Sequence, residues 1–226
     1  MLSKDRKEGV IMMRLEEERI QVVEYGKKLI TAGLTAGTGG NLSVLSKETG
    51  LLAISPSGFD YFKTMPEDVV VSDLMGRIVE GKRKPSVELP LHIALYDRRA
   101  DVSAVVHTHS VYATTVACLQ WEMPAFHYLI GYSGKKVPLA PYATFGSKEL
   151  AKKVADTLED YNAVLMANHG VVCVGKGIGA AFNLAEVIEL MARIYCQAKS
   201  IGEPVVLSDQ EMVHILREVK SYGQNK

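Results

Sequence analysis

Two histidines separated by one residue close the apolar run SAVVHTHS at positions 103–110, and a third lies near the end of a second run, AVLMANHG, at 163–170. A strand alternates its side chains with period two, so His107 and His109 project to one side about 7 Å apart at Cα, which lets two imidazoles converge on one ion. His169 precedes Gly170, where the chain can turn sharply, and two strands of one sheet ending in imidazole would gather three ligands. In KPSVELPLH, residues 84–92, Glu88 begins a helix after a loop and is the carboxylate best placed to approach them. Three imidazoles and one glutamate suit a catalytic Zn²⁺, one of whose ligands can give way to substrate. Plainer alternatives stand beside this. One ring of a His-x-His pair can pack in a core while the other caps a backbone group, and a first-turn glutamate can simply be satisfied by the helix dipole.

Two loops have the makings of an anion cradle. LTAGTGGNLS, residues 34–43, has three glycines within four residues beside Thr38 and Asn41, and ISPSGFDY, residues 54–61, presents Ser57 and Gly58 directly after a strand. Backbone N–H groups exposed by glycine, with hydroxyl and amide donors, can wrap a phosphate without a full positive charge. The same stretches also suit tight hairpin turns. Neither fits the dinucleotide or P-loop fingerprint. The basic run Lys82, Arg83 and Lys84 reads as a solvated loop.

The elements that must position these groups follow from pattern. MRLEEERIQVVEYGKKLITAG, residues 13–33, carries apolar positions at helical spacing, with Gly33 as a stop. NLSVLS and LLAIS flank KETG as one hairpin, and VVVSD and GRIVEG flank a second turn. A helix through ELPLHIALYDRR leads to the strand SAVVHTH and then to the helix SVYATTVACLQ. After the proline-containing stretch VPLAPYATFG come the helix SKELAKKVADTLED, the strands AVLMANHG and VVCVG, and a long helix from about Gly177 to Ser200. SDQEMVHILREVKSYG closes the chain as a helix opened by a capping box, Ser208 with Glu211. Hairpins mixed with crossover helices imply one α/β domain over residues 1–226 with a partly antiparallel sheet.

Composition excludes several classes. Lys plus Arg equals Asp plus Glu at 26 each, so no overall field draws the chain to nucleic acid or to an anionic membrane. With no run of eighteen apolar residues and a charged start without an apolar signal region, neither spanning nor secretion is expected. Cys118, Cys173 and Cys196 are odd in number, scattered in apolar stretches, and read as reduced core residues of a cytoplasmic protein.

The ordered set GTGGNLS, SPSG, PSVE, AVVHTHS, PAFHYLI, APYATFGS, NHG, LSDQE and VKSYG resembles the class II, zinc-dependent sugar-phosphate aldolases, most of all those acting on L-fuculose 1-phosphate, from about Gly26 to Tyr222. The resemblance implies a three-layer fold with a largely antiparallel mixed sheet flanked by helices. It implies one Zn²⁺ per chain on His107, His109, His169 and Glu88, with Glu88 doubling as acid/base once substrate displaces it. Thr38, Asn41, Ser57, Gly58 and Ser86 fall on the phosphate-binding loops. Tyr128 falls on the tyrosine that protonates the aldehyde-side oxygen, and Tyr222 on a C-terminal tyrosine that reaches a neighbouring subunit's site in a homotetramer.

The implied reaction is reversible cleavage of a ketose 1-phosphate to dihydroxyacetone phosphate and an aldehyde such as L-lactaldehyde. Burial is expected to raise the Glu88 pKa and suit it to proton transfer. Val87 stands where the pattern has a second serine, so one phosphate hydroxyl is missing. Alternatives on the same fold are a pentulose-phosphate 4-epimerase, disfavoured because PAFHYLIGY lacks an aspartate, a methylthioribulose-1-phosphate dehydratase, and an aldolase for 5-deoxypentulose phosphates. A non-catalytic adducin-type scaffold would have lost its metal ligands, and this chain keeps all four candidates.

Overall fold

The computed structural model describes residues 13–221. Eight strands form one sheet: β1 (Asn41–Ser46), β2 (Leu51–Ile54), β3 (Val70–Asp73), β4 (Ile78–Glu80), β5 (Ala104–Thr108), β6 (Leu139–Ala140), β7 (Ala163–Met166) and β8 (Gly170–Gly175). Their spatial order is β4-β3-β2-β1-β5-β8-β7-β6, and every neighbouring pair is antiparallel except β6 with β7. The two expected hairpins are β1–β2 and β3–β4.

The described residues hold six α-helices, α1 (Glu16–Thr31), α2 (Leu89–Arg98), α3 (Val111–Cys118), α4 (Lys148–Leu158), α5 (Ile178–Ile201) and α6 (Asp209–Ser221), of which the first five flank the sheet. Strand alternation decides which core each residue joins. Leu42, Val44, Ala104, Val106, Val171 and Cys173 pack with α1, α3 and α5 on one face, whereas Val105, Val164, Val172 and Val174 pack with α2 and α4 on the other. Two apolar layers thus enclose the sheet, and the site grows where the second layer gives way to polar residues. Local signals set several ends: Ser147 Oγ accepts from Leu150 N at 3.0 Å to open α4, and Ser208 Oγ accepts from Glu211 N at 3.2 Å to open α6, each cap being worth about 1 kcal/mol.

Three expectations need correction. The strand expected over AVLMANHG stops at Met166, and the chain turns through Ala167, Asn168 and His169 before β8. Asn168 takes a left-handed backbone (φ 55°) and His169 N donates to Met166 O at 3.1 Å, which closes the turn. The proline-containing stretch holds a strand, β6, at the sheet's edge, where prolines are tolerated because no partner lies on the outer side. Of the three free cysteines only Cys173 is buried; Cys196 is half-buried and Cys118 is exposed at the end of α3.

Candidate active site

β5 lies between β1 and β8, with His107 opposite Asn41 on one side and Val172 on the other. The odd positions of β1 and β5 face α2, so Asn41, Ser43 and His107 meet the start of that helix. Glu88 is its N-cap residue rather than part of its first turn. His107 Nδ1 lies 3.0 Å from the Val171 carbonyl, an acceptor only, so Nδ1 carries the proton and Nε2 offers its lone pair inward. Nε2 of His107 is 2.9 Å from Nε2 of His109 and 3.1 Å from Glu88 Oε2. Nε2 of His169 is 3.5 Å from Glu88 Oε1. One donor nitrogen from each of His107, His109 and His169 lies within 4.8 Å of the others.

Close approach explains the neighbouring glycines. A Cβ on Gly170 would collide with the Thr108 carbonyl and press on the rings of His109 and His107. A Cβ on Gly40, which has φ +69°, would sit 2.7 Å from the His107 carbonyl oxygen. Small residues therefore let the loops approach the histidine cluster from two sides.

Burial pushes the Glu88 carboxyl up, as expected, but His107, the Asn41 amide, His169 and His92 outweigh it and hold the group below the usual glutamate range. Burial also lowers His107 to about 3 against the pull of Glu88, and lowers His109, with His169 adding to the effect. His107 is thus a neutral imidazole at pH 7, the form a metal needs. Glu88 Oε1 is buried without a hydrogen-bond partner. Such an atom beside converging imidazole lone pairs is costly unless a cation completes it, and an N₃O donor set fits a divalent ion of the zinc type.

A pocket of about 330 Å³ opens over this cluster. Thr38, Gly39, Gly40 and Asn41 line it with Ser57, Gly58, Ser86, Val87, Glu88, His109 and His169, and its far wall is Tyr142, Ala143 and Phe145. The expected phosphate loops therefore share one cavity with His109, His169 and Glu88. Two of them are tied together: Ser57 N donates to Lys84 O at 3.0 Å, and Ser86 N donates to Ser55 O at 3.1 Å. Ser86 Oγ accepts from Glu88 N at 3.2 Å, and the Asn41 amide is engaged by Glu88 and His92. Within the basic run, Arg83 is held by Asp68 at 2.8 Å and lies over the Phe59 ring.

Tyr128 is elsewhere. It begins a 3-10 turn, Tyr128–Tyr132, is 57% exposed, stacks on His127 and does not line the pocket of its own chain. α6 packs on this turn, Ile215 and Val219 lying against Gly131. Tyr222 lies outside the described residues. Sequence reasoning passed over His92, Tyr96 and Ser43, which are buried beside the site. A signal was present: Glu88, His92 and Tyr96 recur every four residues, a polar stripe down one helix face.

This sheet and histidine cluster define a class. Residues 20–196 match the class II aldolase and adducin N-terminal domain, and the chain belongs to that family and is a class II aldolase. Among curated relatives it is 51% identical to a 5-deoxy-D-ribulose 1-phosphate aldolase of Bacillus thuringiensis serovar kurstaki, over 94% of this chain and 100% of that one. It is 39% identical to the L-fuculose phosphate aldolase of Escherichia coli strain K12, over 90% of this chain and 94% of the relative. Among solved structures, an L-fuculose 1-phosphate aldolase superposes with a TM-score of 0.89 at 47% identity, over 90% of this chain and 96% of the other. Class II aldolases are metal-dependent, and the substrate is a sugar phosphate.

Proposed function

We propose that this aldolase holds one Zn²⁺ per chain on His107, His109, His169 and Glu88 and cleaves a deoxy-ketose 1-phosphate between C3 and C4, yielding dihydroxyacetone phosphate and a short aldehyde. The observation that carries the reading is the convergence of three imidazole nitrogens within 4.8 Å beside a buried carboxylate oxygen that has no hydrogen bond, with Glu88, His109 and His169 lining a pocket that the glycine-rich loop also lines. When bound, the ion supplies a Lewis acid for the ketose carbonyl and for the charge released as the C3–C4 bond breaks.

The chain's own residues do the rest. Backbone N–H groups of the 37–41 and 55–58 loops, with Thr38, Ser57 and Ser86, hold the phosphate. In the synthetic direction Glu88 takes a proton from the C3 carbon of dihydroxyacetone phosphate and Tyr128 delivers one to the aldehyde oxygen; cleavage runs both transfers backward. Tyr128 lies outside its own chain's pocket, so it must serve a neighbour's, and Tyr222, which follows α6, is assigned the same role. A homotetramer with sites between subunits meets this requirement. Exposed Val111, Leu119 and Trp121 add apolar surface of the kind that interfaces cover. We assign the enzyme to the cytoplasm, consistent with its free cysteines.

Identity of 51% to the 5-deoxyribulose 1-phosphate enzyme favours that ketose, with acetaldehyde as co-product; L-fuculose 1-phosphate is the second reading, on the 47% identical solved structure. The test is dihydroxyacetone phosphate release from 5-deoxyribulose, fuculose, rhamnulose and ribulose 1-phosphates by zinc-loaded protein. Fastest turnover of 5-deoxyribulose 1-phosphate, abolished by a chelator, is expected. Release from none of the four would overturn the proposal.

A further inference from the structure

Behind the site runs a buried chain of side-chain hydrogen bonds. Tyr96 OH lies 2.6 Å from Ser43 Oγ, which lies 2.7 Å from His92 Nδ1. His92 Nε2 is 2.6 Å from Asn41 Oδ1, and Asn41 Nδ2 donates to Glu88 Oε2 at 3.0 Å. His92 and Ser43 are fully buried, and Tyr96 and Asn41 nearly so.

The carboxylate at the end fixes the direction of every proton. An ionised carboxylate only accepts, so the Asn41 NH₂ faces Glu88 and its carbonyl faces His92. His92 Nε2 must then be the donor, which leaves Nδ1 of the neutral ring as acceptor. Ser43 gives its one proton to Nδ1, and Tyr96 donates to the Ser43 oxygen. Had His92 presented a lone pair to Asn41, the amide would flip and turn its oxygen on the carboxylate.

We infer that His92 is a positioning residue: by donating to Asn41 it locks the amide in the orientation that pins Glu88 Oε2, and so aims the carboxylate at the metal site. This rests on the reading of Glu88 as a metal ligand. Asn41, expected among the phosphate groups, thereby acts on Glu88. Asn41 is the partner one step removed from the metal, a position that typically changes metal affinity about 10–100-fold, and His92 acts through it.

The test measures Zn²⁺ affinity by chelator competition and inorganic phosphate affinity by calorimetry on the full chain. H92L should weaken Zn²⁺ binding about 10–100-fold and leave phosphate binding unchanged. H92Q, whose side-chain NH₂ can donate to Asn41 Oδ1, should recover most of the loss. N41A should reproduce H92L, and the H92L/N41A pair should lose little more than either alone, because the two residues act in one line. Wild-type Zn²⁺ affinity in H92L, no recovery in H92Q, or an N41A protein that loses phosphate but keeps Zn²⁺ would each overturn the inference. Should H92L fail to fold, H92Q and N41A decide it: H92Q must bind Zn²⁺ nearly as wild type and N41A must not. Both readouts are binding constants, so a protein that cleaves no ketose 1-phosphate would defeat the proposed reaction without touching this result.

Discussion

The molecule buries two charged clusters, and they are built in opposite ways. Around Arg19, whose side chain is 1% exposed, the guanidinium donates to the carbonyls of Arg14, Pro66 and Val69 and to Glu80 Oε1 at 2.6 Å. All three of its nitrogens are used, and the cluster ties α1 to the start of β3 and to the edge strand β4. Around Glu88 one ring nitrogen from each of three imidazoles converges beside a carboxylate, and Glu88 Oε1 has no hydrogen-bond partner. A satisfied cluster holds structure, while an unsatisfied one awaits a cation.

Four measurements probe that contrast. Replacing His109, the exposed member of the cluster, by Ala should lower turnover about 10³-fold or more while the melting temperature of the metal-free protein moves little, since that site gains its worth from what it binds; comparable loss of fold and activity would erase the distinction. Arg19→Met should do the reverse, costing about 3 kcal/mol because buried carbonyls and Glu80 lose their partner, with kcat of the folded fraction unchanged; a thermal melt beside a turnover assay checks both halves.

The third prediction concerns pH. Burial lowers His92 from 6.5 to about 4 although Glu88 opposes this. Above pH 6.5 the ring is neutral in both folded and unfolded states and contributes no slope. As pH falls from 6.5 toward 4 the unfolded chain takes up a proton that the fold refuses, so stability falls, by about 3 kcal/mol in all, and levels off below 4. Denaturant titrations of the metal-free protein should show this acid limb added to that of His107, and H92Q should make the fall shallower by the His92 share; an unaltered limb in H92Q would assign it to His107 and other groups. The smallest effect is expected at Val87, which is 55% exposed on the pocket wall. V87S should tighten inorganic phosphate binding by about 2–10-fold, the worth of one added hydrogen bond, and weaker binding would place phosphate away from residue 87.

The contrast also explains what could be read from residues alone. Strand alternation put His107 and His109 on one side, and apolar runs bounded by turns marked the strands that carry them. These are local rules. The possible turn at His169–Gly170 was legible from the glycine, but the early stop of β7 was not: Asn168 in a left-handed backbone and His169 N donating to Met166 O close the turn, and the close approach of the Thr108 carbonyl to Gly170 is a cross-strand contact that no local pattern reveals. The Arg19 cluster was equally invisible, because all its partners except the Arg14 carbonyl lie 47 to 61 residues away in sequence. Asn41 was legible as a residue with chemistry but not as a partner of Glu88, since that required knowing that β1 and α2 face each other. Tyr128 was legible as a residue with chemistry, but its place outside its own chain's pocket depends on long-range packing that no local pattern reveals.

The most direct test of the account is Zn K-edge X-ray absorption on protein loaded with one equivalent of zinc. It predicts a first shell of three imidazole nitrogens and carboxylate oxygen at about 2.0–2.2 Å, losing one nitrogen in a His169→Ala protein. A shell of water oxygens alone, or one containing sulfur, would contradict it.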